Sequence, residues 1–374
     1  MRIKKSILLF FSIILSIIIL NIIPFESVKA VTEYDVWVNG ERFTSEHMVI
    51  QCGEGTATFD GDCGILLENA TMTQSYEYAP WYEAVIYSAI PNLLIQVIGD
   101  SSIIPSSQWA DGIDAAGGCE ITLAGNEKLD IKNAYYGMYI GSYEQEGGDL
   151  SLTGNLTLNI ENTSAAGIWV NRNIDIENCT VTINRESSNY NGIVSNIDGT
   201  IRIADSDVTI NNVQSAIHMG NSDESNHVLN IISGIVRLNS SEAYGIKVEP
   251  VGSADDGEIK GEINISGGRL EITSSLGGTN VPTEKISFAN GIGYTTGSDI
   301  TQAGSIVISE VEAQIIKGDM NKDNYVNSTD AALVLDKYKN NNATEEDFER
   351  GNMNNDTVLN AIDAAMILDV FKNS

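Results

Sequence analysis

Proline is scarce in this chain, six residues in 374, and so are basic residues, 21 Lys+Arg against 51 Asp+Glu. There are three histidines and four cysteines. Each shortage excludes something. A formal net charge of −30 repels phosphate backbones and anionic lipid surfaces, which removes nucleic acid and such membranes from the partner classes. No Cys-x-x-Cys pair and no Cys/His spacing of a zinc site occur. Beyond residue 23 no apolar run is long enough to span a bilayer.

The one long apolar run is at the start. Arg2, Lys4 and Lys5 precede Ser6 to Ile23, which is almost wholly apolar, and Val28-Lys-Ala30 follows with small residues at −3 and −1 of a cleavage site. This is the pattern of a secretory signal peptide over residues 1–30. An uncleaved anchor is the competing reading, since the run is long enough to cross a bilayer. Cleavage would leave a secreted, extracellular chain with no membrane segment and a net charge of −33. Export permits a disulfide between Cys52 and Cys63, which flank a short Gly- and Asp-rich segment.

From about residue 84 to 315 a small residue followed by an apolar one recurs, at Gly112-Ile113, Gly137-Met138, Gly167-Ile168, Gly192-Ile193, Ala216-Ile217, Gly245-Ile246 and Gly291-Ile292. The steps are 25, 30, 25, 24, 29 and 46 residues. Short alternating strands follow the anchors, among them Leu156-Thr-Leu-Asn-Ile160, Val181-Thr-Ile183, Val208-Thr-Ile210, Ile263-Asn-Ile265 and Ile306-Val-Ile308. Apolar residues at every second position turn one face inward, and Gly and Asn clusters between them supply turns. Short strands at such a period, without helical patterning, predict a mainly β chain built as a right-handed parallel β-helix (a solenoid) over residues 71–316. A β-sandwich is the runner-up; the recurrent coil length and the lack of proline favour the solenoid. The long last step predicts a loop insertion or a degenerate coil. Residues 31–70 read as β strands capping the first coil, since an uncapped end leaves backbone groups unpaired. In this register Cys119 and Cys179 lie two coils apart. At ~4.8 Å per coil their α-carbons are at least about 9.6 Å apart, too far for a disulfide, so both are expected to be free, buried thiols.

Residues 317–374 carry a different pattern. Asp319-Met-Asn321-Lys-Asp323-Asn-Tyr325-Val-Asn327-Ser-Thr-Asp330 is followed 33 residues later by Asn352-Met-Asn354-Asn-Asp356-Thr-Val358-Leu-Asn360-Ala-Ile-Asp363. Oxygen side chains fall at positions 1, 3, 5, 9 and 12 of both runs, and position 7 (Tyr325, Val358) offers its backbone carbonyl. Calcium takes about six to eight oxygens, which a tight 12-residue loop supplies. An apolar helix follows each loop in step, Ala331-Ala-Leu-Val-Leu-Asp336 and Ala364-Ala-Met-Ile-Leu-Asp369. A lone Asp-x-Asn-x-Asp run reads equally well as a solvated turn; two copies in register do not. Two calcium sites are therefore expected. Loop one has three carboxylates and loop two has two, because Asn352 occupies position 1, so the second site is expected to be weaker. Position 6 is Asn324 in one and Thr357 in the other, and a β-branched residue tolerates a left-handed backbone poorly.

This doublet resembles a type I dockerin, the small all-α, calcium-dependent module of two loop-helix repeats that plugs polysaccharide-degrading proteins into scaffoldin cohesins of a cellulosome. The resemblance implies a cohesin partner. It further implies that loop positions 10 and 11, here Ser328-Thr329 and Ala361-Ile362, contact that partner, with Lys337 reinforcing the first face. The stretch 34–315 resembles secreted clostridial β-helix modules described as carbohydrate-binding, which implies plant cell-wall polysaccharide as a second partner. No Pro/Thr-rich linker separates the two parts, so close coupling is expected.

Right-handed β-helices also host pectin hydrolases and lyases. Glycoside hydrolysis usually needs two converging carboxyl groups. Asp111, Asp114, Asp175, Asp205 and Asp207 qualify by residue type, with Asp205 and Asp207 expected to share a strand face; the bland reading is that all five are solvated. The Gly-His-Gly and Arg-Ile-Lys motifs of polygalacturonase-like enzymes are missing around His47, His218 and His227. Arg172, Arg202, Arg237 and Lys247 lack a lyase setting. No catalytic residue is assigned. Two aromatic clusters, Tyr76, Tyr78, Trp81 and Tyr82 in one loop and Tyr135, Tyr136, Tyr139 and Tyr143 in another, suit sugar stacking, or else pack on the solenoid flank. Three readings stay open: a carbohydrate-binding component of a cellulosome, a polysaccharide-active enzyme, or a structural or adhesin spacer. An acidic surface is a poor match for pectin unless calcium bridges the like charges.

Overall fold

The computed structural model describes residues 30–117, 119–123, 127–141, 148–185, 189–220, 226–251, 257–311, 316–323 and 325–373. The proposed signal segment therefore lies outside the described residues, except for Ala30, as do Tyr143, Asn324 and the junction at 312–315.

Each coil contributes one strand to each of three sheets, and among the described residues these hold 11, 10 and 11 strands. Neighbouring coils pair in parallel and in register. Down one sheet Ile103, Ile131, Ile160, Ile183, Ile210, Leu238 and Ile272 stack one above the next, each at most 1% exposed. Another sheet stacks Ile86, Ile113, Met138, Ile168, Ile193, Ile217 and Ile246 in the same way. Burying one such side chain contributes about 1.5–3 kcal/mol, a gain that exists only when the next coil is present. Parallel pairing of this kind is a β-solenoid and excludes the sandwich.

The small anchor residue has a steric cause. A Cβ on Gly137 would lie 2.6 Å from Ile160 Cγ2 and press into the Gly167 carbonyl of the next coil. The turns repeat too. Asn155, Asn178 and Asp205 all have positive φ and follow one another up the stack through Asn155 N–H to Asn178 O and Asn178 N–H to Ala204 O. Outside, Asn184, Asn211 and Asn239 form an amide ladder with bonds of 2.8 and 2.6 Å.

Three sequence expectations need correction. Gly291-Ile292 is not a coil anchor: the coil after Gly245-Ile246 uses Gly277–Thr279, with Ile246 beside Thr279. The remaining length of the 46-residue step goes into an antiparallel closure. Ile292–Thr296 pairs with Gly304–Glu310, which pairs antiparallel with the last coil strand of that sheet, Arg269–Ser274. Ile306-Val-Ile308 therefore closes the stack and does not extend it. Asp205 occupies a turn at φ 47, just outside the strand that carries Asp207, although both still line one open hollow.

At the other end Glu33–Val38 runs antiparallel to Glu41–Thr44 and to Tyr82–Ser88. Val49–Cys52, Gly55–Phe59 and Gly64–Glu68 form a meander whose last strand starts the parallel pairing with Leu93–Ile98. Cys52 and Cys63 sit at opposite ends of the Gly55–Phe59 strand, and both are free. Cys179 is also free and is buried, its thiol pushed up to about 11 by desolvation. Cys119 lies in the strand Cys119–Leu123.

The C-terminal part holds three helices among the described residues: α1 (Ser328–Asn340), α2 (Glu345–Gly351) and α3 (Ala361–Asn373). The repeat pattern announces α1 and α3. The short α2 begins at Thr344, whose hydroxyl accepts from Asp347 N–H while Asp347 accepts from Thr344 N–H, a capping box. A separate core of Met320, Ala331, Val334, Leu359, Ala364 and Ile367 holds α1 against α3.

Candidate metal centre and aromatic pocket

The two 12-residue loops fold alike. In the first, Asp330 accepts from Met320 N–H and Asn321 N–H at 2.8 and 3.1 Å through Oδ1, and from Asn327 N–H at 2.9 Å through Oδ2. In the second, Asp363 accepts from Asn354 N–H at 3.3 Å and Asn360 N–H at 2.9 Å. Within each loop position 3 accepts from N–H of position 5, and position 5 from N–H of position 7: Asn321 from Asp323, Asp323 from Tyr325, Asn354 from Asp356, Asp356 from Val358. Position 9 caps the following helix, Asn327 accepting from Thr329 N–H and Asn360 from Ile362 N–H, both at 2.7 Å. Most of the donors that fold the loops are thus backbone N–H groups, and the acceptors are the side-chain oxygens at positions 3, 5, 9 and 12.

The donor set fits a hard cation. Asp319, Asp330 and Asp363 are each at most 1% exposed, and burying carboxylates is costly unless charge of the other sign arrives. Asn352 Oδ1 is buried without a hydrogen-bond partner, while its Nδ2 donates to the Asp356 carbonyl at 2.6 Å. Its position as residue 1 of loop two explains an acceptor left over. Position 4 is left-handed in both loops, Lys322 at φ 64 and Asn355 at φ 57. Thr357 has no positive φ, so the expected strain at position 6 does not weaken loop two; the charge difference stands alone.

Residues 317–369 match the dockerin type I domain. The C-terminal module is a dockerin. No curated protein and no solved structure matches the chain. Dockerin type I domains bind calcium, and a dockerin implies docking to a cohesin in a cellulosome-type assembly, where such domains occur in extracellular components.

Of the residues expected to face the cohesin, Ser328, Thr329, Ala361 and Ile362 are exposed at the starts of α1 and α3. Lys337 is half-buried, and its ammonium bonds Asp347 of α2 at 2.9 Å. The dockerin's halves also differ further along: Lys337 and Tyr338 on α1 stand where α3 has Val370 and Phe371.

A second site lies on the solenoid. The fold brings the two aromatic clusters together: Tyr78, Trp81 and Tyr82 from one loop face Tyr135, Tyr136 and Tyr139 from the other across a cavity of about 480 Å³, which Trp109, Glu83 and Asp111 also line. Tyr76 stays outside, stacked on Trp37 with centroids 4.4 Å apart. Tyr136 and Tyr139 do pack on the flank, Tyr139 stacked on Trp169, but two observations set the outer rings apart from such packing. Trp81, Tyr82 and Trp109 are 87%, 61% and 57% exposed. Trp81 also follows Pro80 in a two-residue turn between Tyr76–Ala79 and Tyr82–Ser88 with φ 72. A positive φ after Pro is the type II position normally given to Gly, and a tryptophan there stores of order 1–3 kcal/mol of strain.

Beneath the aromatic walls Asp111 and Asp114 are 6% and 3% exposed, not solvated as the bland sequence reading has them. Both leave the strand Ala110–Ala115 on its outer face, because Gly112 and Ile113 turn inward together. Asp114 stacks between Tyr87 and Tyr139 of adjacent coils and accepts from the Tyr78 hydroxyl. Asp111 accepts from Tyr136 N–H at 2.9 Å. Desolvation lifts Asp114 to about 7, against the lowering effect of Tyr78. Desolvation, then the Asp114 charge, raises Asp111 well above the carboxylate range. Burial therefore favours the protonated form of Asp111, a donor as well as an acceptor.

The other acidic candidates lie on open surface, Asp175 beside Asp149 in one hollow and Asp205 with Asp207 in another. Asp175 pairs with Arg202 at 2.7 Å, Asp205 accepts from Ser233 at 2.7 Å, and Asp207 is exposed. Arg237 pairs with Glu271 and Lys247 with Glu249.

Proposed function

We propose that this protein is a secreted component of a cellulosome-type assembly: calcium folds its dockerin onto a scaffoldin cohesin, and its solenoid binds plant cell-wall carbohydrate in the aromatic pocket. The pocket carries the second half of this reading. Tryptophan and tyrosine faces stack on the apolar C–H faces of sugar rings, and their polar edges tolerate water. A strained backbone that displays Trp81 to solvent is hard to account for by packing.

Two calcium sites support the first half, one held by Asp319, Asn321, Asp323, the Tyr325 carbonyl, Asn327 and Asp330, the other by Asn352, Asn354, Asp356, the Val358 carbonyl, Asn360 and Asp363. When bound, calcium neutralises the buried carboxylates and ties each loop to the helix after it. The second site is weaker by one carboxylate. Ser328, Thr329 and Lys337 form one cohesin face and Ala361 and Ile362 the other. Their difference in polarity gives a preferred docking orientation.

The test is a two-armed pull-down of the full chain. Retention on insoluble cellulose or xylan that drops with Trp109→Ala supports the pocket. Cohesin capture abolished by chelator, and by Asp319→Ala with Asp356→Ala, supports the dockerin mechanism. Capture that survives both treatments refutes it. A second reading, glycoside hydrolysis, is favoured by Asp111 and Glu83 lining one cavity, two carboxyl groups in reach of the same ligand. Reducing-sugar release lost in Asp111→Asn would support it over binding alone.

A further inference from the structure

We propose that the aromatic pocket takes an uncharged sugar unit and rejects a uronate, with the Asp111 carboxyl hydrogen-bonding a sugar hydroxyl. The inference rests on the carbohydrate-binding reading and narrows it to a substrate class. It follows from what surrounds the cavity. None of its described lining residues is Lys, Arg or His; the charged-type side chains there are Glu83 and Asp111. Asp114 lies just behind, bonded to Tyr78, itself a wall residue. A uronate carboxylate brought into this space would meet the Glu83 carboxyl, give up hydration and find no cation to compensate it. Like charges disfavour binding more strongly in a partly desolvated site than in water.

The same groups suit a neutral pyranose. Asp111 spends Oδ1 on Tyr136 N–H and lines the cavity. Burial raises its pKa well above the ordinary value, and in the protonated form it offers a hydroxyl donor where an ionised carboxylate offers only acceptors. Glu83 is fixed by the Ser75 hydroxyl at 2.7 Å and provides a complementary acceptor. The aromatic walls, Tyr82 and Trp109 at the exposed mouth and Tyr136 and Tyr139 deeper, supply flat faces for stacking. Calcium bridging, which would rescue a uronate on an acidic surface, needs ionised carboxylates pointing at the ligand, and burial opposes ionisation of Asp111.

The experiment is calorimetric titration of the full chain, in one calcium-containing buffer at neutral pH, with hexamers of β-1,4-glucose, β-1,4-xylose and α-1,4-galacturonic acid. The expected result is binding of at least one neutral hexamer ten-fold or more tighter than the galacturonide. Trp109→Ala, a change at an exposed site, should weaken the neutral hexamer about ten-fold. Asp111→Asn should retain it, since the amide also donates, and Asp111→Ala should lose it. Because Asp111→Ala removes a buried group, Glu83→Gln serves as the second variant: it should narrow the gap between neutral and acidic hexamers. Galacturonide binding as tight as or tighter than the neutral hexamers overturns the inference and leaves the carbohydrate reading standing. Binding of none of the three overturns both.

Discussion

Asp114 makes the solenoid's stability depend on pH in a direction opposite to that of most carboxylates. Its folded form holds the proton up to about 7, from an ordinary value of 3.8. Below the ordinary value both folded and unfolded chains are protonated there, and the group has no effect on pH dependence. Between the two values the folded chain binds the extra proton, so the stability is lost as pH rises towards 7. A gap of this size corresponds to roughly 4 kcal/mol, undiminished by solvent because Asp114 is 3% exposed. Asp114→Asn removes the titration and keeps an acceptor for Tyr78. Urea unfolding followed by tryptophan fluorescence reads the solenoid alone, because Trp37, Trp81, Trp109 and Trp169 all precede the dockerin. The stability difference between wild type and variant should swing by about 4 kcal/mol from pH 4 to pH 8, the variant gaining on the wild type as pH rises. Carboxylates with lowered values, such as Asp130 beside Asn159 and Lys128, act in both proteins and cancel. A difference that stays flat within about 1 kcal/mol refutes the buried, proton-holding Asp114.

Trp81→Gly should relieve the positive φ and stabilise the solenoid by about 1 kcal/mol while weakening saccharide binding; thermal unfolding and calorimetry on one sample check the pair. Asp330→Ala strips an acceptor from three backbone N–H groups and should abolish cohesin capture, with helicity lost from the dockerin by circular dichroism. Asp356→Ala should leave one calcium site measurable by titration, and the remaining affinity should be the tighter of the two. Gly137→Ala forces a Cβ to 2.6 Å from Ile160 and should lower solenoid stability by about 1–3 kcal/mol in the same urea assay.

The coil period, the alternating strands and the small anchors were legible because stacking imposes them on every coil: Ile131 and Ile160 have the same neighbours one coil apart. The dockerin loops were legible because a hard cation dictates oxygen at fixed spacing. The closure of the stack was not. Ile306-Val-Ile308 alternates like any coil strand, and only its antiparallel partner, Arg269–Ser274, separates the two. Nor was the pocket, since Tyr78 and Tyr135 are far apart in sequence and meet through coil stacking. Asp111 and Asp114 looked like two more surface acids; Gly112 between them was the available signal, as an inward-turning residue that puts both carboxyls outside the same strand. The strain at Trp81 was also readable in principle, as a Pro-Trp pair between two strand patterns.

The antiparallel strands that close the solenoid, Glu33–Val38 with Glu41–Thr44 at one end and Gly304–Glu310 with Ile292–Thr296 at the other, bear on copy number. A parallel stack with bare ends is a template for another copy of itself. With an end strand turned back, the next coil of a second molecule finds the wrong strand direction and register. At these edges a second solenoid would have to reverse its strand direction to pair, so they resist end-to-end addition of copies.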